Sequence, residues 1–104
     1  MSTSGVEIRD VAAQGVNVSE DALTVDLADG RTISVPIAWF PRLAHGTKQE
    51  RSHWRLIGVR EGIHWPELDE DISVESLLAG RRSHETAESL RNWLKNLRHE
   101  KKVT

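Results

Sequence analysis

Two runs of alternating apolar and polar residues, Leu23–Leu27 and Ile33–Ile37, constrain the fold more than any other part of the sequence. Alternation with a period of two is typical of strands that bury one face, and Ala28-Asp29-Gly30 between them supplies a turn. Residues directly opposed in an antiparallel pair must share a face. A three-residue loop with its glycine in the left-handed conformation meets this requirement by placing Val25 opposite Ile33. The sequence therefore predicts a hairpin with a glycine-bulge loop.

A second hairpin is predicted between Trp54 and Trp65 by the same reasoning. With Arg60-Glu61-Gly62 as the loop, Ile57 would lie opposite Trp65 and one face would again be apolar. An earlier alternating segment, Val6–Val11, predicts a first strand that continues past a bulge. We expect these strands to form one small antiparallel sheet.

Helices are predicted from capping residues and helix-breaking residues. A hydroxyl at Thr47 with Glu50 three residues later is a capping box, and Gly80 is a typical helix stop after an N-cap at Asp71 or Ser73. The predicted helices span Ala38–Ala44, a short segment starting at Thr47, Ile72–Ala79, and His84–Lys101 after an N-cap at Ser83. The chain therefore reads as an α+β domain that ends in a longer amphipathic helix.

Length and composition bound the function. A chain of 104 residues is one domain, which we divide into a disordered start at 1–5, an α+β domain at 6–80 and a C-terminal helix at 81–104. The absence of cysteine excludes disulfides, thiolate zinc sites and cysteine nucleophiles. With no long apolar run and no leader-like start, we expect a cytoplasmic protein without a membrane span.

Charge is distributed unevenly along the chain. Residues 1–80 carry seven Lys or Arg against thirteen Asp or Glu, whereas residues 81–104 carry seven against three. A basic tail on an acidic body either lies against that body or meets an acidic partner.

A family resemblance is carried by three segments in order, Leu23–Arg31, Trp39–Leu43 and Ile63–Ile72. They resemble the bacterial family called domain of unknown function 2442, over about residues 6–80. The resemblance implies a small α+β domain, found alone or beside a helix-turn-helix segment and often encoded near small toxin-like proteins. A single C-terminal helix is too little to make a helix-turn-helix unit.

The chemical candidate is an acidic cluster around one histidine. His64, Glu67, Asp69 and Asp71, with Glu70 among them, carry the oxygen and imidazole ligands that divalent cations use. The spacing matches neither an EF-hand loop nor a zinc signature, and helix capping explains the same residues. A metal-dependent enzyme is therefore the second alternative, and no cofactor and no catalytic residue are predicted.

The C-terminal helix carries the two other candidates. Its apolar stripe, with Ala87 at the start, places Leu90, Trp93, Leu94 and Leu97 on one side, which predicts burial against a protein partner or a second copy. The basic residues Arg81, Arg82, Arg91, Lys95 and Arg98 suit phosphate contacts, so a DNA-binding regulator is the first alternative. We therefore expect a non-enzymatic protein-interaction module, the antitoxin-like or regulatory member of a small bacterial toxin-like pair.

Overall fold

The structure is a computed structural model that describes residues 12–103, with side chains as far as Leu97. The predicted disordered start and the Val6–Val11 strand lie outside the described residues. The elements are β1 (Ala13–Val18), β2 (Ala22–Leu27), β3 (Thr32–Pro36), a 3₁₀ turn (Ile37–Trp39), α1 (Pro41–Ala44), α2 (Lys48–Ser52), β4 (Arg55–Ile57), β5 (Gly62–Trp65), β6 (Glu70–Ser73), α3 (Val74–Leu78) and α4 (Ala87–Val103).

The first sheet confirms the predicted hairpin. Its strand order is β1-β2-β3, and Val25 pairs with Ile33 in the antiparallel register that the alternation requires. Gly30 has φ 98°, a left-handed conformation that side chains rarely adopt, and the Leu27 N–H donates to the Arg31 carbonyl at 2.8 Å. β1 joins the other edge of β2, with a bulge between Ala13 and Gly15.

The second sheet corrects the predicted register of the second hairpin. β4 and β5 pair with Leu56 opposite Ile63, so the connecting turn is Gly58–Glu61 rather than Arg60-Glu61-Gly62. Both Gly58 and Arg60 have positive φ, at 66° and 67°, and this four-residue turn shifts the pairing. Ile57 therefore lies opposite Gly62 and is 38% exposed, rather than buried opposite Trp65.

A third strand of the second sheet replaces the start of a predicted helix. The turn Pro66–Asp69, with Asp69 at φ 52°, sends the chain back along β5, so that Ile72 pairs with the buried Ile63. Residues 70–73 are thus strand β6, and the fold has two three-stranded sheets in place of the single sheet that we predicted. The helix begins afterwards at Val74, with the Ser73 side chain accepting from the Ser76 N–H as N-cap.

The two sheets share one hydrophobic core. Trp65, on the central strand β5, is fully buried and donates its indole N–H to the Arg51 carbonyl at 3.0 Å. The other buried apolar residues are Ala13, Leu23, Val25, Leu27, Val35, Ile37, Phe40, Leu43, Ile63, Leu68, Ile72, Val74 and Leu77. Both halves of the described chain contribute, so neither sheet buries its face alone.

Two predicted helix starts are wrong. The helix predicted from Ala38 is interrupted at Phe40, which has φ −128° and ψ 87° because the residue before a proline avoids the helical region. The last helix begins at Ala87 rather than His84. The Ser83 N–H donates to the Trp39 carbonyl at 3.0 Å, a tertiary contact that keeps this segment extended, and Thr86 Oγ1 accepts from the Ser89 N–H.

The predicted capping box gives a first test of local stability. Thr47 Oγ1 accepts from the Glu50 N–H at 3.1 Å, and Glu50 Oε1 accepts from the Thr47 N–H at 2.8 Å. Thr47→Ala leaves the first donor without its cap and should lower the free energy of unfolding by about 1 kcal/mol. Urea denaturation measures this change. Ser52→Ala, in the same helix, is the control and should stay within about 0.5 kcal/mol of the wild type; equal effects of the two variants would contradict the capping role.

Candidate functional site

The apolar side of α4 is the candidate functional surface. Leu90, Trp93, Leu94 and Leu97 lie within about 100° of the helix circumference, and we call these four residues the α4 apolar face. All four are half-buried, and no described side chain between 87 and 97 is fully buried. Trp93 packs against the core, whereas Ala87, predicted to extend the stripe, is exposed. The helix therefore presents an amphipathic surface that its own domain covers only in part.

Arg42 anchors the segment that leads into α4. Its Nε donates to Glu85 Oε1 at 2.6 Å and its Nη2 to Glu85 Oε2 at 3.3 Å, a two-pronged ion pair. Its Nη1 donates to the Asp69 carbonyl at 2.8 Å, and the guanidinium lies 5.1 Å from the centre of the Trp93 ring. One side chain of α1 thereby contacts the β5–β6 turn, the α4 entry segment and the α4 apolar face.

The Glu85 carboxylate is held in its charged form. The Arg42 guanidinium, which bonds it directly, lowers the pKa of Glu85 against the opposing effect of burial, and the Ser89 hydroxyl adds a second bond at 2.5 Å. Its side chain is only 7% exposed, so the ion pair is largely removed from water. A pair of this kind fixes geometry because either partner alone would be a buried, uncompensated charge.

A groove of about 280 Å³ separates α4 from the β5–β6 turn. Trp93, Asn96 and Leu97 form its helix wall, and Pro66, Glu67 and Asp69 form the opposite wall. The Asp69 side chain is 86% exposed and that of Glu67 46%. The groove thus has a mainly apolar helix wall and, on the side of the turn, an acidic rim formed by Glu67 and Asp69.

The basic residues named from the sequence divide between two places. Arg91 and Lys95 are exposed on α4, next to the apolar face, and the Arg98 side chain lies outside the described set. Arg81 and Arg82 line a separate cleft of about 240 Å³ beside β6 and α3, where the Arg82 guanidinium stacks 4.7 Å from the centre of the Trp39 ring.

The predicted metal ligands separate into different pairs. His64 Nδ1 lies 2.5 Å from Asp71 Oδ1 across the β5–β6 pair, while Glu67 Oε1 lies 2.5 Å from His53 Nδ1. Asp69 faces Arg42 instead. In the part of the chain that the structure describes, no three His, Cys, Asp or Glu side chains are placed to hold a metal ion. Burial raises the pKa of the neighbouring Glu70 carboxyl, whose Oε1 accepts from the Asp71 N–H.

Arg42 and Glu85 are the site residues that sequence reasoning missed. They are 43 positions apart, and neither stands in a motif with a spacing of its own. The only available signal was the position of Arg42 inside the Trp39–Leu43 segment that carries the family resemblance.

Comparisons with known proteins give a family and one similar structure, both of unknown function. The family model described as protein of unknown function (DUF2442) matches residues 13–83. A crystal structure of a protein of unknown function from Rhodospirillum rubrum is similar, with 26% sequence identity and a TM-score of 0.62 over 77% of this chain and 96% of that chain. No curated protein matches the chain. Within residues 12–103, no helix has the length and apolarity that crossing a membrane requires.

Proposed function

The chain belongs to the DUF2442 family of proteins of unknown function, and on this premise we propose that it is a non-enzymatic protein-interaction module that buries the α4 apolar face against another protein. The family resemblance implies a more specific form of this function, in which the chain is the antitoxin-like or regulatory member of a small bacterial toxin-like pair. The observation that carries the proposal is the incomplete burial of Leu90, Leu94 and Leu97 on one side of α4.

The anchoring of α4 supports this function. The Arg42–Glu85 pair and the Arg42 contact with Trp93 hold the start of the helix against the domain. The described chain is elongated, measuring 57 × 24 × 24 Å, as expected for a domain that presents a helix about 25 Å long. A surface that is already ordered loses less conformational entropy on binding. A tryptophan among leucines is also the composition of a typical interaction hot spot.

Leu94→Glu tests the proposal, because it places a charge in the centre of the α4 apolar face. Tagged chain is immobilised and exposed to nuclease-treated bacterial lysate, and retained proteins are identified by mass spectrometry. We expect the wild type to retain a protein in a fixed ratio and Leu94→Glu to retain at least tenfold less of it, since a buried charge at an interface costs more than the roughly 1.4 kcal/mol that a tenfold loss requires.

Asn92→Glu is the matched control. Asn92 is exposed and lies about 160° around the helix from Leu94. Asn92→Glu therefore adds the same charge on the opposite side of the helix, and this variant should retain the partner fully. A chain that ends at Ser89 is a second comparison. This chain lacks the α4 apolar face but keeps the Arg42–Glu85 pair. Equal retention by Leu94→Glu and Asn92→Glu would exclude this surface as the binding element.

A further inference from the structure

The two sides of the α4 apolar face differ in what they meet. Trp93 and Leu97 turn toward the groove and the chain's own β5–β6 turn. Leu90 and Leu94 do not line the groove and lie about 20° and 60° farther round the helix than Leu97. Beyond them come Arg91 and Lys95, which we call the basic flank. The part of the face that does not line the groove is thus a half-buried leucine pair bordered by two exposed cations.

The charges around α4 are complementary. The groove rim carries Glu67 and Asp69, and the basic flank carries Arg91 and Lys95 on the other side of the same helix. In the described part of the chain, neither Arg91 nor Lys95 makes an ion pair. Along the helix axis Lys95 lies between Trp93 and Leu97, which line the groove. The basic flank and the acidic rim are therefore at the same height along α4. The cations and the carboxylates are therefore separated by the width of one helix.

From this arrangement we propose that the occupant of the α4 apolar face is a second copy of the chain, with the two α4 helices side by side and parallel. The inference rests on the proposed function and specifies its partner. In this arrangement a two-fold axis runs parallel to the two helices and relates the copies by a rotation of 180°. The basic flank of each copy then faces the acidic rim of the other at the same height along the helices. An antiparallel pair would instead place one basic flank against the other, which is repulsive.

The same arrangement explains the uneven charge of the sequence. Residues 81–104 are basic and the rest of the chain is acidic, so each tail meets the body of the other copy. A 17-residue helix is too short to form a stable coiled coil by itself. Ion pairs between flank and rim, together with Leu90 and Leu94 from both copies, add the contacts that the helices lack.

Disulfide trapping tests the direction of the helices, because the chain has no cysteine of its own. Ala87→Cys and Leu94→Cys, which lie about 20° apart around the helix on the side of the proposed contact, are oxidised separately in the full-length chain with copper phenanthroline. These positions are about 10 Å apart along the helix, and a disulfide needs Cα atoms within about 7 Å. We expect each variant to form a disulfide-linked dimer with itself, and Asn92→Cys to form none. Linkage only between the two variants when mixed would show antiparallel helices and overturn the proposal.

A charge exchange tests the pairing of flank and rim. Light scattering across a concentration range should show a wild-type dimer, weakened about fivefold to tenfold in Lys95→Glu and in Glu67→Lys, since each change makes two repulsive contacts per dimer. The double variant should recover most of the lost affinity. A double variant weaker than either single one would overturn the proposal.

The outcomes separate this inference from the function on which it rests. A chain that stays monomeric at every concentration but retains a different protein through Leu94 overturns only the second copy as occupant. A monomeric chain whose retained proteins do not depend on Leu94 overturns both.

Discussion

Trp65→Ala is expected to lower the free energy of unfolding by about 4 kcal/mol, the largest effect of any single substitution that we predict. Trp65 is fully buried on the central strand of the second sheet. Truncation removes its packing, leaves a cavity and takes away the indole N–H that the Arg51 carbonyl accepts at 3.0 Å. Because domains of this size are stable by about 5–15 kcal/mol in total, much of the stability would be lost.

Urea denaturation followed by circular dichroism measures this effect without depending on the deleted fluorophore. Trp54→Ala is the matched control, because Trp54 packs against the same core but is only half-buried. Trp65→Phe keeps an aromatic ring but removes the donor, and it should cost about 1–3 kcal/mol for the unpaired Arg51 carbonyl together with a smaller loss of packing than Trp65→Ala. A Trp65→Ala variant no less stable than Trp54→Ala would contradict the central place of this residue.

Arg42→Met is expected to cost about 2 kcal/mol, less than breaking a fully buried ion pair, because 19% of the Arg42 side chain is exposed and solvent screens the pair in part. The substitution leaves the Glu85 carboxylate, only 7% exposed, with the Ser89 hydroxyl but without its cation. Adding Glu85→Gln should recover part of the loss, since no uncompensated charge then remains. Arg31→Met is the control, because its ion pair with Asp29 is exposed and screened by solvent, so its loss should leave the stability almost unchanged.

The pH dependence of the Arg42 effect follows from the lowered pKa of Glu85. A carboxyl with a lowered pKa in the folded state stabilises the fold fully above its unfolded pKa, which is near 4.5. That contribution is lost as pH falls through the lowered folded value. In Arg42→Met the Glu85 carboxyl has lost its cation while burial still raises its pKa. Urea denaturation between pH 3 and 7 should therefore show a difference between wild type and Arg42→Met that is largest at pH 7 and shrinks as pH falls. A difference that grows on acidification would contradict the assignment.

The raised pKa of Glu70 acts in the opposite direction. Burial disfavours the charged form of Glu70, so its carboxyl takes up a proton at a higher pH in the folded state than in the unfolded state. Considered by itself, Glu70 therefore stabilises the fold as pH falls through its raised pKa. Glu70 is present in both proteins of the comparison. Because the Arg42 charge lowers the pKa of Glu70, removing it raises that pKa further and stabilises the variant in acid. The Glu70 contribution therefore makes the difference between the two proteins shrink in acid, in the same direction as the Glu85 contribution.

Local rules account for the parts of the fold that were predictable from sequence. The register of the first hairpin follows from alternation and from Gly30, and the start of α2 follows from Thr47 and Glu50. The helix end at Gly80, which has φ 73°, follows from the conformational freedom of glycine. Each of these features depends on residues close together in the chain.

The errors arose where local rules allow more than one answer. Asp69–Ser73 suits a helix start by capping chemistry, yet Ile72 gains more by pairing with Ile63 in the buried sheet. The second hairpin offered apolar residues on both faces of β4, and the positive φ of Gly58 and Arg60 selected the register. Burial against distant residues decided both cases.

The sequence by itself determined the α+β class, the first hairpin, the capping residues and the amphipathic character of the last helix, because each depends on contacts within a few residues. Only the tertiary structure decided which side of α4 its own domain covers, and which carboxylate each cation meets. Arg42 and Glu85 meet across 43 residues, and His53 takes Glu67 out of the acidic cluster. Which side chains form such pairs depends on how the whole core packs. Burial and geometry bring the two residues together, whatever their spacing along the chain.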